Sequence, residues 1–222
     1  MDTDEHTTAD LAAAWQNLMG PGPEAAAVGA DLLTRWSEPH RRYHTVGHLR
    51  AVVAAVDELA EAARDLVVVR CAAWFHDAVY DGVPGEDEER SARLAERLLP
   101  RCGLAAGRVA EAARLVRVTA DHRPAHGDVD AQVLCDADLS VLGGTPERYR
   151  EYAAAVREEY AHVAEADFRA GRAAVLRALL EAPVLFHTPL ARARWEARAR
   201  ANISDELGAL EGGAAGFAPP QP

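Results

Sequence analysis

Along almost the whole chain apolar residues recur at helical spacing, three to four positions apart, and this limits the folds open to it more than any other feature. Leu11, Trp15 and Leu18 share a face over residues 9–19, and Val28, Leu32 and Trp36 do so over 24–36 before Pro39 interrupts. From Thr45 to Ala63 a stripe of Leu49, Val52, Val53, Val56 and Leu59 includes the face of His48, which therefore points inward. Val67, Val68 and Val69 locally favour strand, but the Ala-rich continuation to Tyr80 has the length of a buried helix, so 65–80 is read as one. Gly82, Pro84 and Gly85 then make a loop. Further helices are expected at 86–99, 104–119, 129–142, 146–162, 165–181 and 189–210. The fold class is thus all-α. With 222 residues the chain suits one well-buried core, a single-domain helical bundle over 1–211 with a disordered tail, 212–222.

Composition removes several classes of function. Hydrophobic residues make up 49 % and charged residues 27 %, and no apolar run approaches the roughly 20 residues of a membrane span, so no membrane partner is expected. The acidic start Met1-Asp2-Thr3-Asp4-Glu5 is unlike a secretory or mitochondrial signal, which makes the cytoplasm the expected location. Cys71, Cys102 and Cys135 are too widely spaced for a thiolate zinc site or a disulfide framework. A formal net charge of −11 argues against nucleic acid as a partner. All 24 cationic residues are Arg, so neither a P-loop nor a Schiff-base lysine can exist here.

Chemistry enters at His76-Asp77, inside the run Ala72-Ala73-Trp74-Phe75-His76-Asp77-Ala78-Val79-Tyr80. An unpaired carboxylate in apolar surroundings is costly, and a divalent cation is the partner that also satisfies an imidazole. Other ligands should therefore lie elsewhere. Tyr43-His44-Thr45-Val46-Gly47-His48 upstream and Asp136-Ala137-Asp138-Leu139-Ser140 downstream offer them. Adjacent residues on a helix diverge by about 100°, so His76 and Asp77 would converge only on an ion held beside the backbone.

In this order, His, His-Asp, Asp, the chain resembles the HD-domain superfamily of metal-dependent phosphohydrolases, and within it a bacterial branch of predicted phosphohydrolases of similar length. The resemblance runs from about Arg42 to Asn202, with the core at about 40–202. It takes in Asp87-Glu88-Glu89-Arg90-Ser91-Ala92, where the branch usually has Asn rather than Asp at position 87, and Phe168-Arg169-Ala170-Gly171-Arg172. It implies an HD-type bundle, an enzyme, and one divalent metal held by His48, His76, Asp77 and Asp138, with a second metal left open. It favours Asp138 over Asp136, two residues away. The mixed donor set suits Mn, Fe, Co, Ni or Zn, and Mg less well because of the imidazoles.

His44 and His48 also have zincin spacing, but a zincin requires Glu after its first His, where this chain has Thr45. The arrangement is instead similar to the first motif of cyclic-nucleotide phosphodiesterases, which implies that His44 is a general acid and His48 a ligand. Asp77 would both ligate and assist the attacking water. Glu88, His122 and Arg42 are candidates for substrate contact or outer support of the metal. The expected reaction is hydrolysis of a phosphate ester or phosphodiester, with a small phosphorylated substrate, a nucleotide by resemblance, as partner; a homodimer stays open. Two other readings are carried: an HD-type diiron oxygenase, which needs further His ligands where only His122 and His126 are available, and a non-catalytic, metal-stabilised nucleotide-binding regulator.

Overall fold

The computed structural model describes residues 2–83 and 85–212. Beyond Gly212, the expected disordered tail lies outside the described residues. Their regular structure is all helical, with no strand among them, and none of their helices is long and apolar enough to cross a membrane. They form two compact units that divide between Asp138 and Leu139.

The first unit contains α1 (Asp2–Met19), α2 (Pro23–Trp36), α3 (Val46–Glu58), α4 (Leu66–Phe75), α5 (Glu86–Leu98), α6 (Ala106–Val118) and α7 (Val129–Asp138). Local chemistry sets the starts. Pro23 opens α2, the Thr45 hydroxyl accepts from the Gly47 amide at 3.3 Å to cap α3, and Asp65 accepts from Val68 at 3.4 Å to cap α4. α4 is the central element and packs on α3, α5, α6 and α7. Its buried Ala72 and Ala73 admit close neighbours, while Trp74 and Phe75 fill volume against Trp15, whose ring meets that of Trp74 at 5.1 Å. Two buried indole N–H groups tie elements together: Trp15 donates to Ala25 O at 2.7 Å and Trp36 to Trp74 O at 3.1 Å.

Several helices are shorter than their spacing predicts. The stretch from Thr45 breaks after Glu58, where a 3-10 turn, Ala60–Ala62, takes over. More consequential is the end of α4 at Phe75, since the expectation carried that helix to Tyr80 and put His76 and Asp77 on it. Both instead lie in the turn that follows, with His76 as the C-cap residue.

The second unit begins with a 3-10 turn, Leu139–Gly143, where 129–142 had been expected to run as one helix. It continues with α8 (Pro146–Glu159), α9 (Glu165–Glu181), the short α10 (Pro189–Ala191), a π-helical turn (Arg192–Glu196) and α11 (Ala197–Glu211). A buried ion pair organises it: Arg172 on α9 donates to both Glu206 oxygens on α11 at 2.8 and 2.9 Å, and the Tyr149 hydroxyl donates to Glu206 at 2.6 Å. Asn202 on α11 donates to Leu142 O and Gly144 O, which anchors the opening turn.

Glycine at position 29 is dictated by packing. A Cβ there would lie 2.3 Å from Trp15 Cδ1, whereas exposed Gly208 in α11 has nothing within 4 Å of that point. Gly29→Ala should therefore destabilise the protein by about 1–3 kcal/mol through overpacking, and Gly208→Ala should stabilise it by about 0.5–1 kcal/mol. Urea unfolding of both variants checks the opposed signs; equal stabilities would mean that Trp15 yields freely.

Candidate metal centre

Three helix ends of the first unit bring the chemistry together. His48 lies in the first turn of α3, His76 closes α4, and Asp138 is the last residue of α7. Their ligand atoms lie within 4.8 Å of one another, and both imidazoles are buried. His48 Nε2 is 3.2 Å from His76 Nε2 and 3.1 Å from Asp138 Oδ1, and His76 Nε2 is 3.5 Å from that oxygen. Donor atoms held about 2.1 Å from one ion stand about 3.0 Å apart at right angles and about 3.4 Å apart at the tetrahedral angle. The spacing therefore matches what a single divalent ion would require, and the group could hold one. Asp77 Oδ2 adjoins it, 3.2 Å from His76 Nε2 and 3.9 Å from His48 Nε2.

His76 Nδ1 lies 2.8 Å from Ala73 O and donates to it, which turns Nε2 toward the other donors. Burial alone would strip charge from this ring, but the Asp77 and Asp138 carboxylates outweigh it and hold His76 well above the ordinary imidazole range. For His48 burial prevails and its proton affinity falls. His76 is thus the more basic of the two rings, whose Nε2 atoms stand 3.2 Å apart. Burial also opposes ionisation of the carboxylates, yet the His76 charge brings Asp77 down to about 2 and Asp138 well below the usual carboxylate range. Without an ion, protons supply the compensating charge.

His44 stands beside the group, partly exposed, with Nε2 3.8 Å from Asp77 Oδ2 and its ring stacked on Tyr80 at 4.1 Å. His122 comes to Asp138 from the loop between α6 and α7, its Nε2 2.8 Å from Oδ2, the oxygen facing away from the His48 contact. Its backbone is left-handed at φ 52°, the one non-glycine residue so disposed among those described, and this strain aims the ring at the carboxylate. Burial opposes its protonation, but the Asp138 hydrogen bond raises its pKa overall. Asp136 is fully buried, and His126 is exposed.

The other candidates make local bonds. Glu88 accepts from the Gly85 amide at 2.6 Å, closing the N-terminus of α5. Arg42 is exposed and donates to Pro39 O and Arg41 O. Its neighbour Arg41, which the sequence does not distinguish from it, is the arginine the fold buries. Asp87 and Ser91, one turn apart on α5, hold the segment after Asp77: Asp87 accepts from Asp81 and Val83 amides at 2.9 and 2.8 Å, and the Ser91 hydroxyl accepts from Val79 N and donates to Val79 O. Position 87 needs an acceptor oxygen, which Asp supplies as well as Asn.

Comparison with protein-family models, with curated proteins and with solved structures gives no match.

Because an entering cation must displace the Nε2 proton of His76, affinity for Mn, Co or Zn should rise with pH, and binding should release a proton. Calorimetry in two buffers of different ionisation enthalpy measures that release, and His76→Ala should abolish binding at micromolar metal. Affinity unchanged between about pH 6 and 8, with no proton release, would contradict the assignment.

Proposed function

We propose that this chain is a metal-dependent phosphohydrolase of the HD type, acting in the cytoplasm on a small phosphate ester or phosphodiester. The single observation that carries the reading is the convergence of His48, His76 and Asp138 at ligand spacing, with Asp77 and His44 alongside. In this reading His48, His76, Asp77 and Asp138 hold one divalent ion. Bound there, such an ion acidifies a water and polarises a phosphoryl oxygen. The remaining steps belong to side chains. Asp77, ionised at any physiological pH, accepts a hydrogen bond from the attacking water and directs its lone pair. His44, 21 % exposed beside Asp77, is the general acid that protonates the leaving-group oxygen. Tyr80 limits rotation of that ring by stacking on it. His122 holds the outer oxygen of Asp138 and keeps the inner one toward the ion. Nucleotides are the proposed substrates on the strength of the HD resemblance.

The test is phosphate or nucleotide release from a pool of mono-, di- and cyclic nucleotides with added Mn, Co, Ni, Zn or Mg. Turnover by the wild type should vanish in Asp77→Ala, and His44→Gln should lower kcat by about 10²–10⁴-fold while metal affinity stays near wild type. An iron-loaded protein with visible absorption and no phosphate release would favour the diiron oxygenase. Thermal stabilisation by nucleotide without product would favour the regulator.

A further inference from the structure

Between the His44 loop and the turn carrying His76 and Asp77, one guanidinium is closed off from solvent. The Arg41 side chain has no exposed surface, whereas Glu38, its ionic partner at 3.3 Å, is 38 % exposed. A half-exposed carboxylate offers little return for burying an arginine, so the explanation lies with the other donors. Nη1 donates to His44 O at 3.0 Å and to Asp77 O at 2.8 Å, and Nη2 donates to Ala78 O at 3.4 Å. The guanidinium also lies against two rings, 5.3 Å from the Trp36 centroid and 5.5 Å from that of Tyr80. Those rings in turn pack on the imidazoles: Trp36 on His48 and His76 at 6.1 and 5.3 Å, Tyr80 on His44 at 4.1 Å. His44, His48, His76 and Asp77 are each bonded to Arg41 or separated from it by one ring.

We infer that Arg41 is the positioning residue of the metal centre, fixing the His44 loop against the His76-Asp77 turn so that donors from two sequence motifs meet. It touches no donor atom of the cluster and acts through backbone carbonyls and through two aromatic rings. The planar fork of a guanidinium, with five N–H donors, can span carbonyls from two segments, and an ammonium on a flexible stem cannot hold both in register. The inference rests on the metal-centre reading and extends it to a residue outside the ligand set.

Cobalt supplies a readout independent of turnover, because its visible absorption reports coordination geometry. Full-length wild type, Arg41→Met, Arg41→Lys and Arg172→Met are compared for cobalt affinity, cobalt spectrum and melting temperature. Arg172→Met breaks a buried pair of the second unit and controls for general destabilisation. Both Arg41 variants should bind cobalt about 10–100-fold more weakly with an altered spectrum, and added methylguanidinium should restore the spectrum of Arg41→Met. Arg172→Met should melt lower and keep the wild-type spectrum. Should Arg41→Met fail to fold, Arg41→Lys decides alone. Wild-type affinity and spectrum in the Arg41 variants, with only a lowered melting temperature, would overturn the inference. Cobalt binding without hydrolysis by the wild type removes the phosphohydrolase reading and leaves this comparison intact, whereas a wild type that binds no cobalt overturns both.

Discussion

The architecture of the first unit turns on an unusual demand: the backbone leaves the helix at Phe75 while it is still among buried residues. Main-chain N–H and C=O groups cannot be left unpaired there. Side chains meet the demand one group at a time. Ala73 O is taken by His76, Trp74 O by Trp36, Asp77 O by Arg41, Val79 N and O by Ser91, Tyr80 O by His40, and the amides of Asp81 and Val83 by Asp87. Partners come from α2, the loop before α3, and α5, so these elements are held in place by the same bonds that permit the turn. An uninterrupted helix would have satisfied its own backbone and would have splayed His76 and Asp77 apart.

This view explains which parts were legible beforehand. Helix existence and inward faces follow from apolar spacing, a property of each segment alone, and so His48 could be placed on the buried side of α3. The end of α4 could not be read, because Ala78, Val79 and Tyr80 continue an apolar run and no glycine or proline intervenes before Gly82. What stops the helix is a set of acceptors and donors far away in sequence.

The same limit applies to the candidate site. His44, His48, His76, Asp77 and Asp138 carry residue types that advertise metal chemistry, and the fold gathers them within a few ångströms. Arg41 carries no such signal beside Arg42, since burial distinguishes them and burial is a tertiary property. Glu88 was ambiguous for a related reason: a carboxylate three residues into a helix can serve a distant ion or its own N-terminus, and here it takes the Gly85 amide. The left-handed backbone of His122 is likewise unmarked in the sequence.

The division between Asp138 and Leu139 also has a temporal side. A polypeptide leaves the ribosome from its N-terminus, and domains fold as they emerge. Every donor of the cluster lies upstream of Leu139, with Asp138 the last to appear, so a nascent chain holds the full set before α8, α9 and α11 have been translated. The residues that could hold an ion are thus encoded entirely in the first unit.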